Sequence, residues 1–334
     1  MKKYDVVALG ELLVDFTENG MSTQMNPVFE ANPGGAPCNV LSMLQKLGDK
    51  TAFIGKVGKD SFGEMLRDVV AEQGIDTKNL ATDENVPTTL AFVQTAPDGD
   101  RSFSFYRNPG ADMMLSMEDI DVSLLQNTRL FHFGSLSMTA QGVEEATKMA
   151  VGTAKSAGAL ISFDPNLRPP LWEHLNVAKE KIAYGISQCD ILKISDDEIA
   201  FFTGSTDIDA GVSKIQEQYH TPLIFATMGK RGSRAYHAGN RVECEPFLNE
   251  NTIETTGAGD TFMACVLHGI LKPGLDGLDE KKLYDMLRFA NAAASIITTR
   301  KGALKVMPGE VDVRKFIQER EGSQSVQYNL RSGR

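Results

Sequence analysis

Asn251-Thr252-Ile253-Glu254-Thr255-Thr256-Gly257-Ala258-Gly259-Asp260-Thr261-Phe262 is the stretch whose reading decides the rest. It begins polar, passes two β-branched threonines and reaches Gly-Ala-Gly-Asp. It then runs into Phe262-Met263-Ala264-Cys265-Val266-Leu267. This order predicts a glycine-rich turn opening a helix. Outward backbone N–H groups and the partial positive charge of a helix N-terminus suit such a turn to an anion. Asp260 then has two readings. As a cap it contributes ~0.3–1 kcal/mol. As a carboxylate at the lip of an anion cradle, it takes a proton from an attacking hydroxyl while the amides hold charge on a moving phosphoryl group. The spacing leaves both open.

The chain of 334 residues is 42% hydrophobic, enough for one large α/β core with an appendage. Its formal charge of -10 argues against nucleic acid and anionic membranes as general partners. An anionic substrate then needs local Arg, Lys, Mg²⁺ or backbone amides. Cys38, Cys189, Cys244 and Cys265 show neither a CxxC pair nor metal spacing and read as buried thiols in a reducing compartment. Met1-Lys2-Lys3-Tyr4 leads straight into a strand-like run, and every apolar run is too short to span a bilayer. A soluble, cytoplasmic protein is expected.

Outward from the opening stretch, a strand–helix rhythm predicts an α/β fold. Val6-Val7-Ala8-Leu9 reads as a buried parallel strand, continued by residues 11–16, with Asp15 at its emerging end. Gly34-Gly35-Ala36-Pro37-Cys38-Asn39 reads as a turn into a helix, Asn39 facing whatever lies over the glycines. Residues 88–95 and 101–107 alternate about a turn and read as a hairpin. With residues 17–33 it makes a small sheet able to act as a lid, and Arg107 lies at its end. Asp164, Asn166 and Arg168 follow a strand, on a loop stiffened by Pro169-Pro170. Ser195 and Glu198 have capping-box spacing, which explains Ser195 and leaves Glu198 open as a water-mediated Mg²⁺ contact. Thr227 to Gly232 is a strand and glycine turn without the P-loop pattern. A patch of small residues around Asn291 leaves room for a flat ring or for close helix packing. A helix over 310–320 and a frayed polar tail over 321–334 end the chain.

Two of these motifs together, Gly34-Gly35-Ala36-Pro37-Cys38-Asn39 and Glu254-Thr255-Thr256-Gly257-Ala258-Gly259-Asp260-Thr261-Phe262, resemble the paired signatures of ribokinase-like (PfkB-type) sugar kinases. Phe53-Ile54-Gly55-Lys56-Val57-Gly58, Phe105-Tyr106-Arg107-Asn108-Pro109-Gly110-Ala111-Asp112 and Phe163-Asp164-Pro165-Asn166-Leu167-Arg168 are most similar to fructokinases. The resemblance implies one kinase domain over residues 1–320, a central mostly parallel sheet flanked by helices. Lid segments near 12–33 and 88–112 are expected to form a small β-sheet, and an open apolar face on it would favour a homodimer. It implies transfer from ATP, with Mg²⁺, to the primary 6-hydroxyl of D-fructose, a 2-keto-3-deoxygluconate kinase being the alternative.

By the same resemblance Asp260 is the base, and the amides of Gly257, Ala258 and Gly259 form the anion hole. Asp15, Gly34, Gly35, Asn39, Arg107, Asn166 and Arg168 bind the sugar. Lys193, Ser195, Glu198, Thr227, Gly229, Gly232 and Asn291 meet the nucleotide. Glu254, Thr256, Ile297 and Gly302 fall at K⁺-ligating positions. Two departures stand out. Ser195 replaces the family's frequent Asn ahead of Glu198, and Glu254 replaces the usual Asp. A catalytically silent binding protein is disfavoured by the intact Gly-Ala-Gly-Asp, and a Rossmann oxidoreductase by the lack of GxGxxG after the first strand.

Overall fold

The computed structural model describes residues 2–95 and 101–332. The chain enters through β1 (Tyr4–Leu9), leaves it at Gly10 and starts β2 (Leu13–Met21), which pairs antiparallel with β3 (Pro27–Gly34). Residues 11–16 therefore do not continue the first strand. Asp15 lies in a second sheet rather than at the mouth of the first. Leu12, Leu13 and Val14 are as buried as β1, so the apolar pattern does not mark the change of sheet.

Next come α1 (Ala36–Lys46), β4 (Thr51–Gly58) and α2 (Ser61–Glu72), the last capped by Asp60 accepting from the Gly63 amide. The strands β5 (Asp76–Asp83), β6 (Leu90–Thr95) and β7 (Arg101–Tyr106) follow. The turn expected between β6 and β7 lies outside the described residues. The strand–helix rhythm then resumes with α3 (Val122–Gln126), β8 (Thr128–Gly134), α4 (Gln141–Ser156), β9 (Leu160–Asp164), α5 (Leu175–Gln188) and β10 (Ile191–Ser195). After α6 (Asp196–Thr203) and α7 (Ile208–Tyr219), β11 (Leu223–Thr227) leads to the hairpin of β12 (Ser233–His237) and β13 (Asn240–Cys244). Three helices close the chain: α8 (Ala258–Leu271), α9 (Glu280–Ile297) and α10 (Glu310–Ser332).

Among the described residues the strands form two sheets. The larger has the order β13-β12-β11-β10-β9-β8-β1-β4-β5, parallel from β11 to β5 with the antiparallel hairpin at one edge. Side chains alternate across it, so each face has its own core. Val6 and Ala8 of β1 and Phe225 of β11 pack under α1, α8 and α9. Val7, Leu9, Ile224 and Ala226 pack under the opposite helix layer with Val143, Ile182 and Ile186. Both faces being covered explains why the strands read as unbroken apolar runs. The smaller sheet has the order β3-β2-β6-β7.

Three elements escape the pattern reading. β5 is polar along most of its length because it is an edge strand, α3 has only five residues, and the twelve residues of α7 carry few apolar side chains. The helix α10 runs to Ser332, through the segment expected to fray from residue 321. Its one glycine, Gly322, costs only ~1 kcal/mol and does not stop it. Arg288 of α9 also pairs with Glu321.

Candidate active site

The N-terminus of α8 is the centre of the site. Gly257 is its N-cap with φ 75°, and a Cβ there would sit 2.6 Å from the Cβ of Ala303. Left-handed backbone and close approach both require glycine. The Ala258 amide donates to the Thr255 carbonyl oxygen at 3.2 Å, closing the turn rather than facing outward. Asp260, in the first turn, is 8% exposed. Its Oδ2 accepts from Asn39 Nδ2 at 2.8 Å. Burial pushes its carboxyl above the usual range, against the Asn39 hydrogen bond and the charges of Lys193 and Arg168.

Two cavities meet at this helix end. One, of about 430 Å³, is lined by Asp15, Gly35, Asn39, Asn166, Arg168 and Asp260, with Gly257 and Gly259 at its floor. Phe105 and Leu13 of the smaller sheet wall it. The other, of about 610 Å³, is lined by Ser195, Thr227, Gly229, Gly232 and Asn291 and by the apolar side chains of Phe247, Leu248, Phe262 and Ala294. Lys193, Thr255 and Gly259 line both. β9, β10 and β11 end here, placing the site at the carboxyl ends of parallel strands.

In the smaller cavity the residues predicted from sequence assemble, Gly34 packing against Asp15 outside the lining, with one exception among the side chains. Asp15 faces Gly34 so closely that a Cβ at 34 would collide with its Oδ2. Burial pushes the Asp15 carboxyl up to about 7, eased by Arg168 and reinforced by Glu254 and Asp260. Asn39 Oδ1 is buried without a partner and lies in the cavity lining. Asn166 takes a left-handed φ of 43° and donates its amide to Asp164 Oδ1. Arg168 is exposed and makes a long 3.3 Å hydrogen bond to Leu167 O. The exception is Arg107. Its guanidinium is 3% exposed, pairs with Asp112 at 2.7 Å and bonds Thr139 Oγ1 and Leu136 O. A buried guanidinium requires partners on this scale, so Arg107 braces the base of β7 and does not line the cavity.

In the larger cavity, Lys193 is 6% exposed and bonds Asp164 Oδ2 at 2.9 Å. Burial works to lower its pKa, but Asp164, Glu198 and Asp260 raise it, so it remains a cation. Asn291 lines the cavity with its polar atoms already used: Oδ1 accepts from Ser233 Oγ, and Nδ2 donates to the Cys244 and Glu245 carbonyls. It pins the loop carrying Phe247 and Leu248. Glu198 lines neither cavity. It closes the capping box with Ser195 and accepts the Leu167 amide at 2.8 Å, stitching the loop after β9 to α6. Glu254 Oε1 accepts the Gly302 amide at 2.7 Å, and the Glu254 amide donates to Thr298 O. The Ile297 carbonyl accepts the Arg300 amide. The Glu254, Ile297 and Gly302 segments are thus joined beside α8, with Thr256 in the smaller cavity's lining.

Pattern reading missed two parts of the site. Glu11 is 5% exposed, lines the smaller cavity and accepts the Ala36 amide on Oε1 at 3.1 Å. Burial and Asp112 push its carboxyl up to about 7 against the pull of Arg107. Nothing in the run Glu11-Leu12-Leu13 marks it, except that an acid in an apolar run needs a reason. The loop Pro246-Phe247-Leu248-Asn249-Glu250 was also missed. Its signal was a pair of large apolar residues after a proline, outside any predicted strand or helix.

Residues 3–309 match the pfkB family carbohydrate kinase profile. The chain is 38% identical over 314 residues to probable fructokinase-4 of Arabidopsis thaliana, covering 93% of this chain and 96% of that one. Among solved structures it is similar to the fructokinase with bound ATP from Xylella fastidiosa, at 31% identity and TM-score 0.88, covering 96% of this chain and 100% of that one. The fructokinase from Vibrio cholerae with fructose, ADP and calcium ion bound matches at 28% identity and TM-score 0.85, covering 94% and 99%.

Proposed function

The chain belongs to the pfkB family of carbohydrate kinases, and from that premise we propose that it phosphorylates the 6-hydroxyl of D-fructose with ATP, giving fructose 6-phosphate and ADP. The observation that carries this reading is the position of Asp260, buried at the amide-rich helix end where the two cavities meet. A sugar in the smaller cavity meets Asp15, Asn39, Asn166 and Arg168. Its terminal hydroxyl gives its proton to Asp260, whose raised pKa makes it a better base near neutrality. The nucleotide lies in the larger cavity, its base against the apolar side chains of Phe247, Leu248 and Ala294.

Five carboxyl groups, Glu11, Asp15, Asp164, Glu254 and Asp260, surround this helix end, against Arg168 and Lys193. Phosphate charge is therefore met by Lys193, by the helix end and by a divalent ion. Each Glu198 oxygen accepts one amide and keeps a second lone pair, so the carboxylate can take water from a hydrated Mg²⁺. That ion supplies charge neutralisation to the phosphates. Glu254, Thr256, Ile297 and Gly302 form the proposed K⁺ position, where Glu254 already engages Gly302. Phe105 and Leu13 close the sugar cavity from the smaller sheet and exclude water.

That sheet also carries a row of rings, Phe29–Phe92–Tyr106 with Phe16 stacked on Phe92, ending at Tyr106, which is 67% exposed. A second copy of the chain covers it in a homodimer. The free, buried cysteines suit the reducing cytoplasm.

Arg168, exposed at the cavity, also suits the carboxylate of 2-keto-3-deoxygluconate. Arg107, which both readings assign to the sugar, is paired with Asp112 and favours neither. Turnover on a panel of sugars with ATP-Mg²⁺, read as ADP released, decides between them. Fructose is expected to give the highest kcat/KM, and preference for the sugar acid would reverse the assignment.

A further inference from the structure

We infer that Glu11 is a positioning residue, holding the first turn of α1 so that Asn39 keeps its amide on the Asp260 carboxylate. The inference deepens the reading of Asp260 as the base. Glu11 sits in the kink between β1 and β2, where the chain changes sheet. Its Oε1 accepts the amide of Ala36, 25 positions away and the first residue of α1. The N-cap of that helix is Gly35, which has no side chain to satisfy the orphan amides. Glu11 supplies the missing cap from a different element.

Gly35 is held at the same place by packing. A Cβ there would run into the Glu11 carbonyl oxygen. Three residues beyond Ala36, on the same turn, Asn39 Nδ2 donates to Asp260 Oδ2 at 2.8 Å. A displacement of the α1 N-terminus thus reaches Asp260 through one hydrogen bond.

The charges around the two groups are distinct. Glu11 feels Arg107 and Asp112. Asp260 feels Lys193 from β10 and Arg168 from the loop after β9, together with the Asn39 amide. Glu11 is not among the groups acting on Asp260 directly, so its influence travels through α1.

Two substitutions separate reach from charge. Glu11→Asp keeps the carboxylate and withdraws the acceptor by one methylene. Glu11→Gln removes the charge and keeps an acceptor at the same distance. The Asp260 carboxyl is titrated by ¹³C NMR in each free protein, its signal assigned by its loss in Asp260→Asn, and kcat is followed against pH. Glu11→Asp is expected to move the Asp260 titration upward, because the Asn39 bond that lowers it is loosened. It should also reduce kcat at pH 7 by about 10-fold, the scale of a sub-ångström misplacement. Glu11→Gln is expected to return both to near the native values.

Equal shifts in both variants would mean a charge effect and overturn the inference. So would a Glu11→Asp protein with a lowered Tm and an unmoved Asp260, which is a structural role alone. The titration needs no turnover, so it judges Glu11 even if no sugar is phosphorylated. Failure of the whole sugar panel would strike the kinase reading instead.

Discussion

Asp260 combines burial with a single hydrogen bond from Asn39, and the balance leaves its carboxyl raised. A base works unprotonated. In the proposed role, activity is expected above the folded pKa of Asp260 and is expected to be lost as pH falls through it, at higher pH than for an ordinary aspartate near 3.9. Asp260→Asn should cut kcat by ~10²-fold or more with ATP binding retained by calorimetry. Near-native kcat would remove Asp260 from the proton transfer. Stability moves the other way. The folded protein holds the Asp260 proton more tightly than the unfolded chain, so the ionised group costs nothing below the unfolded pKa, and its cost grows as pH rises toward the folded one. Asp260→Asn is expected to raise Tm at pH 8 and leave it little changed at pH 4.

At the scale of elements, the site depends on the N-termini of two helices brought side by side. α8 begins on a left-handed glycine and α1 on another, with φ 123° at Gly35. Gly257→Ala should cost ~1–2 kcal/mol for the left-handed backbone alone, with crowding against Ala303 added. A lowered Tm by calorimetry and a kcat reduced at least 10-fold are the expected outcome. Loss of stability with native kcat would show that this turn serves the fold only. The smaller sheet contributes differently. Its strands bring Asp15, Leu13 and Phe105 over the smaller cavity, and Lys301 in the loop after α9 bonds Asn19 of β2. The loop beside the proposed K⁺ position is tied in this way to the element that covers the smaller cavity.

At the scale of the molecule, the larger sheet places both cavities at the carboxyl ends of its parallel strands and leaves the smaller sheet with a half-buried ring row. Light scattering is expected to give twice 36.4 kDa for the native chain and a single chain for Tyr106→Asp. A native monomer would dispose of the pairing. Among the described residues no helix is long and apolar enough to cross a membrane.

Much of this was legible in the residues. Strands buried on both faces announce themselves as apolar runs, and Gly-Ala-Gly-Asp ahead of an apolar helix announces a glycine turn that opens it, because turn and cap chemistry act within a few residues. The sequence reading assigned Asp15, Asn39 and Arg168 to a sugar and Lys193 to a nucleotide, and the structure brings all four to the lining of the smaller cavity. Tertiary structure alone decided which of them face the cavity. Arg107 and Glu11 are ordinary charged residues in the chain, yet Asp112 withdraws the first and Ala36 recruits the second. Asn39 meets Asp260 across 221 positions. Such pairings depend on how the two sheets and the helices between them stack, and no local pattern encodes the distance between elements that touch only after the core has closed.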